Sequence, residues 1–142
     1  MKNKNIFSAA LLILILVLFI SCTGQLFSQS IASGKYHSLQ LCNNGSVQAV
    51  GYNLLGQLGN GTTSKSNIPV NVNSLTGITA LAGGGDHSLA LKNDNTVWSW
   101  GKNSSGQLGN GTTTYSTVPV QVSGLTGITK LGVGTGYSLA LK

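Results

Sequence analysis

Residues 31–80 and 81–130 align without a gap, and 27 of the 50 positions are identical. IASGKYHSLQL at 31–41 matches LAGGGDHSLAL at 81–91, which in turn matches LGVGTGYSLAL at 131–141. GYNLLGQLGNGTT at 51–63 matches GKNSSGQLGNGTT at 101–113, and IPVNVNSLTGIT at 68–79 matches VPVQVSGLTGIT at 118–129. Self-similarity at a fixed period near 50 residues is the signature of a solenoid or propeller, in which one unit cannot bury its own apolar face and must stack on the next. The chain thus divides into a non-repeating segment 1–30, repeat 1 (31–80), repeat 2 (81–130) and a third copy that stops within 131–142.

The signals inside each unit are those of strands. Ser88-Leu89-Ala90-Leu91 alternates polar with apolar, Asn93-Asp94-Asn95 supplies turn chemistry, and Val97-Trp98-Ser99-Trp100 is rich in β-formers and ends at Gly101. In repeat 1 the same turn reads Asn43-Asn44-Gly45, and Asn-Gly tolerates the positive φ of a tight hairpin. Val118-Pro119-Val120-Gln121-Val122 predicts a further strand, with Pro119 placing it at a sheet edge or strand start. Ile128 to Leu131 opens the next unit. Four short strands per unit and no helical periodicity predict an all-β protein of propeller blades, each of four short antiparallel strands: about two blades plus the start of a third.

The combination of HSLAL (87–91), VWSWG (97–101), the tract N-x-x-GQLGNGTT (103–113) and VPVQV (118–122) closely resembles the regulator of chromosome condensation repeat family, in a bacterial secreted form. The resemblance covers 31–142 and implies blades of a seven-bladed β-propeller. Such a ring needs roughly 350 residues at this period, whereas 112 follow Ser30. The expectation is therefore a fragment of a longer protein, with further copies resuming after Lys142 near an Asn-Asp-Asn turn. A chain complete as it stands is expected to self-associate through its open strand edges.

Residues repeated between copies have structural uses. Gly51, Gly56, Gly59 and Gly61 and their partners fifty positions on fit a compact loop, in which Gln57/Gln107 and Asn60/Asn110 are expected to bond backbone groups. Leu58/Leu108, Leu39/Leu89/Leu139 and Val50/Trp100 are expected to pack between blades.

Residues 1–30 read as an export signal. Lys2 and Lys4 precede an unbroken apolar run, Ala9 to Ile20, which at 12 residues is short of the about 20 that a spanning helix needs. Two processing sites compete. Ser28-Gln29-Ser30 offers small residues at −3 and −1 and would release a chain beginning at Ile31. Phe19-Ile20-Ser21-Cys22 resembles a lipobox with Cys22 as the lipidated residue, although Leu18 sits one place too far upstream. The first gives a secreted or otherwise extracytoplasmic protein with no membrane span in the mature chain. The second gives an outer-membrane or cell-surface lipoprotein. Either route leaves Cys42 alone, at an exposed strand end to judge by its repeat equivalents Lys92 and Lys142.

Only 7% of residues are charged, and past Ser30 six scattered lysines face Asp86 and Asp94 for a net +4, with no arginine. Arginine is the usual bidentate reader of phosphate and guanine, so a nucleic-acid surface is not expected. His37 and His87 are repeat equivalents without a carboxylate or thiol at ligand spacing, which reads as hydrogen-bonded structural histidine and not as a metal site. Ser38, Ser88 and Ser138 recur in every copy and suit a structural bond. No catalytic residue, metal or cofactor is assigned, and the protein is not expected to be an enzyme.

A binding function falls to positions that differ between copies, because loops on a rigid scaffold carry recognition. Tyr36, Tyr52, Leu54, Leu55 and Tyr115 are the apolar or aromatic members of that set. The leading expectation is a non-catalytic exported module that acts as a protein-interaction scaffold for an extracellular or cell-surface protein, with a glycan as the other candidate partner. The family resemblance also implies guanine-nucleotide exchange with chromatin binding, which the export signal opposes. A third alternative is a set of accessory repeats of an extracellular or carbohydrate-active enzyme.

Overall fold

The computed structural model describes residues 28–142. The basic and apolar parts of the export segment and the candidate lipidation residue Cys22 lie outside the described residues. The described chain forms ten strands and no helix. One antiparallel sheet holds β1 (Ser28–Ser33), β2 (His37–Cys42), β3 (Val47–Gly51) and β4 (Ser66–Asn71), in that order. A second repeats it with β5 (Ile78–Gly83), β6 (His87–Lys92), β7 (Val97–Gly101) and β8 (Ser116–Gln121). β9 (Lys130–Val133) and β10 (Ser138–Leu141) form a third, two-stranded sheet. The registers match across the period: His37 faces Gly51 and Leu39 faces Ala49, as His87 faces Gly101 and Leu89 faces Ser99.

Local chemistry accounts for the turns. Gly45 takes φ 76° between β2 and β3, and Asn95 takes φ 63° between β6 and β7, where asparagine is among the few side chains that tolerate it. Asn44 and Asp94 each accept the amide two residues on, Ser46 and Thr96, at 3.0 Å. Pro69 and Pro119 lie on β4 and β8, the outermost strand of each sheet, inside a register shift, so neither deletes a ladder bond.

Alternation along the strands turns one face of each sheet toward the next. Leu39, Leu41, Val47, Ala49, Leu58, Val72, Leu75 and Ile78 of the first unit pack with Ala90 and Trp100 of the second. A second cluster joins Leu89, Leu91, Val97 and Ile128 to the half-buried Leu131 and Val133 of the third sheet. Leu139 departs from the expected inter-blade packing. It is 61% exposed, against 1% for Leu39 and 2% for Leu89, because no described strand lies over its face.

Cys42 requires a second correction. It is 2% exposed and disulfide-bonded, its partner lying outside the described residues, where a lone cysteine at an exposed strand end was expected. The lysine analogy fails in burial and not in register: Ser28 faces Cys42 as Ile78 faces Lys92, and what distinguishes Cys42 is its small, disulfide-bonded side chain. Ser28 to Ser30, the candidate cleavage site, are the first half of β1.

Trp100 is the largest fully buried side chain, and Gly59 makes room for it. A Cβ on Gly59 would meet the indole Nε1 at 2.7 Å and Cδ1 at 2.8 Å, and its φ of 66° is already in the left-handed region. Gly59→Ala is therefore expected to cost roughly 3 kcal/mol, combining backbone strain with overpacking. Gly109→Ala, at φ 60° with only Val122 close by, is expected to cost roughly 1 kcal/mol. Urea denaturation of the two variants side by side measures the difference; equal losses would remove the indole as its cause.

Candidate functional site

Two arrangements recur at the boundary between units, one closed and one open. The closed one is a clasp. The Ser88 hydroxyl donates to the Gln57 carbonyl at 2.9 Å, so its single proton is committed and its oxygen must accept from His37 Nε2 at 2.8 Å. The Trp100 indole N–H donates to the same Gln57 carbonyl at 2.9 Å, filling its second lone pair. One period later, His87 Nε2 donates to Ser138 Oγ at 3.0 Å, and Ser138 donates to the Gln107 carbonyl at 2.8 Å. Both imidazoles are thereby fixed as Nε2–H tautomers, and both Nδ1 atoms are buried without a hydrogen-bond partner. Burial drives the His37 pKa down to about 4 from 6.5, with the Asp86 charge opposing and His87 adding to the fall. His87 is lowered by burial as well, again against Asp86.

His37 and His87, with Ser88 and Ser138, thus have the structural bonds expected of them. Among the described residues no three His, Cys, Asp or Glu side chains converge.

The open arrangement lies at the loop end of the first two sheets. Asn53 is its foundation. Fully buried, it accepts the Leu58 amide on Oδ1 at 2.9 Å and donates from Nδ2 to the carbonyls of Thr62 and Ser64, both at 3.0 Å. Gln57 Oε1 accepts the Leu55 amide at 3.0 Å, and Asn60 Oδ1 accepts the Thr62 amide at 3.2 Å, as the repeated loop residues were expected to do. The Gly61 amide donates to Thr117 on the neighbouring sheet at 2.9 Å, which fastens the loop across the boundary.

On this support four side chains turn outward. Tyr36 comes from the β1–β2 turn, and Tyr52, Leu54 and Leu55 come from the β3–β4 loop. The Tyr52 amide donates to the Tyr36 carbonyl at 2.9 Å, and the Lys35 amide donates to Gly84 of the next sheet at 3.1 Å. The two rings meet edge to face at 6.1 Å and 63°. Together with Asp86 of the second sheet these residues line a recess of about 760 Å³. Tyr36 is 57% exposed, Tyr52 39% and Leu54 60%. Lys35 Nζ lies 4.9 Å from the Tyr36 ring centre, and its hydrogen bond and charge contact with that residue hold its pKa above the ordinary value. Gln57 Nε2 reaches Asp86 Oδ1 at a long 3.4 Å.

Of the five candidate binding residues the structure gathers four. Tyr115 sits on the β7–β8 loop, 51% exposed, and does not line the recess. Sequence reasoning missed the part played by two positions. Asn53 and its copy Asn103 were legible as the first residue of the N-x-x-GQLGNGTT tract, but not as the buried side chain that holds the loop. Asp86 enters the recess from the following unit, at the position equivalent to Tyr36, and only the stacking of sheets reveals that.

Sheets of four antiparallel strands stacked face to face at a constant period are blades of a β-propeller. The regulator of chromosome condensation (RCC1) repeat profile matches 44–91 and 94–141, and a second profile of the same repeat matches 78–107. The chain belongs to the regulator of chromosome condensation repeat family. It is 41% identical over 49 residues to the X-linked retinitis pigmentosa GTPase regulator homolog of Caenorhabditis elegans, a match covering 33% of this chain and 4% of that protein.

Among solved structures it is similar to Prp20p from Saccharomyces cerevisiae, a structure described with its binding to Gsp1p and histones. That match has TM-score 0.72 and 23% identity, over 80% of this chain and 30% of the other. Human WBSCR16 gives 0.71 and 26%, over 84% and 31%. The complex of Kap60 with yeast RCC1 (Prp20) gives 0.69 and 30%, over 81% and 28%. The chain spans under a third of the length of each of these solved chains.

Proposed function

We propose that this chain is a non-catalytic, exported propeller module that binds another protein through the Tyr36–Tyr52–Leu54–Leu55 surface. The observation that carries the reading is the convergence of four copy-variable apolar side chains, from two separate loops, on one rigid support. The scaffold does not require them: repeat 2 places Asp86, Lys102, Ser104 and Ser105 at the same positions and folds alike. Exposed tyrosine and leucine side by side, with a carboxylate and an ammonium at the rim, is the composition of an interface anchor. Similar propellers described as bound to Gsp1p, histones or Kap60 support a protein as the partner class. The basic and apolar N-terminal segment supports export, with an extracellular or cell-surface partner.

The double variant Tyr36→Ala/Leu54→Ala is expected to reduce partner capture from the culture medium and cell-surface fraction at least tenfold. Its melting temperature should move by no more than a few degrees, because both residues are exposed. Undiminished capture by a folded double variant would remove the site. N-terminal sequencing of the chain recovered from outside the cell tests export: a start at Ile31 or a blocked Cys22 supports it, and an intact Met1 opposes it.

A further inference from the structure

Asp86 and Asp94 are the only acidic side chains of the sequence, and their surroundings differ. Asp94 pairs with Lys92 at 3.2 Å and accepts from both the amide and the hydroxyl of Thr96. Among the described residues the Asp86 carboxylate makes no ion pair and accepts only the long 3.4 Å bond from Gln57 Nε2. Half-buried, it lines the recess beside Tyr36, Tyr52, Leu54 and Leu55. A carboxylate against apolar walls, short of donors, favours a charge-assisted bond with an incoming cation. The aromatic side of the recess has the same preference. Edge-to-face contact at 6.1 Å and 63° gives no coplanar platform for a sugar ring, whereas the negative ring faces attract cations. Lys35 Nζ, 4.9 Å from the Tyr36 centre, is one cation that this ring already holds. At the following boundary the equivalent positions are Asp86, Lys102, Ser104, Ser105 and Gly136, so the combination belongs to this boundary and not to the repeat.

We infer that the recess receives an arginine of the partner protein, flanked by apolar residues. The guanidinium pairs with the Asp86 carboxylate against the tyrosine rings, and the flanking side chains rest on Leu54 and Leu55. This rests on the binding surface proposed above and adds the chemistry of what that surface takes. Arginine suits the recess better than lysine, because its planar and weakly hydrated cation stacks on a ring and pairs with a carboxylate at once. The sequence contains no arginine, so a second copy of the chain does not supply the guest.

The probe is a blocked pentapeptide, acetyl-Gly-Leu-Arg-Leu-Gly-amide, added to the intact chain at neutral pH and followed by NMR of the tyrosine rings and leucine methyls. Saturable shifts of Tyr36, Tyr52 and Leu54 are expected. The same peptide with citrulline for arginine keeps the shape and loses the charge. It should bind roughly tenfold more weakly, the worth of a hydrogen bond to a charged group. Asp86→Asn, which keeps the shape of the side chain, should weaken the arginine peptide to the same degree and leave the citrulline peptide unchanged. A general disturbance of the fold would not give that coupling. No binding, equal binding of the two peptides, or an arginine preference that survives Asp86→Asn would overturn the assignment. So would a lysine peptide that binds as tightly. Equal shifts from cellohexaose would give the recess to a glycan, and concentration-dependent shifts without peptide would give it to a second copy; either overturns it too. Partner capture separates this inference from the proposed function. Capture lost in Tyr36→Ala/Leu54→Ala but kept in Asp86→Asn would leave the surface standing and remove the arginine.

Discussion

Trp100→Ala is expected to destabilise the chain by about 4 kcal/mol, the range for emptying a fully buried tryptophan site. For a domain of this size that corresponds to a melting temperature roughly 15–25 °C lower. The side chain is wholly inaccessible, stands at the centre of the first inter-blade cluster and fills the second lone pair of the Gln57 carbonyl. Trp100→Phe separates the two contributions. It keeps most of the apolar volume and loses the N–H donor, so about 1–2 kcal/mol is expected. Thermal and urea unfolding of both variants decide the matter. A Trp100→Ala protein that melts within a few degrees of the parent would mean that the first two blades do not depend on this contact.

Mild acid should loosen the same boundary. His37 is buried as the neutral Nε2–H tautomer and titrates at about 4, while the unfolded chain titrates at the ordinary 6.5. The unfolded state therefore takes up the proton first as pH falls. The His37 contribution is fully present above pH 6.5, declines between 6.5 and 4, and does not change further below 4. Across that window the loss is about 3 kcal/mol for His37, because each pH unit separating the folded and unfolded titrations is worth roughly 1.4 kcal/mol. His87 is shifted in the same direction and adds to it.

Asp94 is held below its ordinary value mainly by hydrogen bonds from Thr96, so it titrates beneath this window and does not obscure it. His37→Gln retains a donor for Ser88 and removes the titration. The urea midpoint of the parent should fall steadily between pH 6.5 and 4.5, and that of the variant should fall less. Asp86→Asn removes the charge that pulls both histidines back toward 6.5, and should steepen the decline. Parallel pH profiles for parent and His37→Gln would exclude the clasp as the acid-sensitive element.

Much of the architecture could be read from the chain because the information is local and repeated. Ser88 to Leu91 and Val97 to Trp100 carry alternation and β-formers that specify a hairpin in isolation, and a match fifty residues earlier doubles the signal. Pro119 pointed to an edge, and β8 is one. Cys42 resisted the same reasoning. Its repeat partners are lysines, so analogy placed it outside, whereas it is buried and disulfide-bonded at the register position that Lys92 holds in the next sheet. Leu139 resisted for the opposite reason, since its pattern is that of Leu39 and Leu89 but the covering strand is not among the described residues.

The variable loop residues could be named one by one as an outward set. That Tyr36 stands against Tyr52, that Leu54 and Leu55 share their recess with Asp86, and that Tyr115 does not, could not be named. Those distances depend on how one sheet twists and seats on the next.

By itself the sequence determined the period, the four strands of each unit, the loop chemistry of Gln57, Asn60 and their copies, and the family. Each of these is written in near neighbours and in repetition. Tertiary structure alone decided the His37–Ser88–Gln57 clasp, the enclosure of Trp100 over Gly59, and the gathering of four apolar side chains into one recess. Every one of these joins residues of different loops or successive units. Their contact is set by the stacking of one blade on the next, which no local pattern encodes.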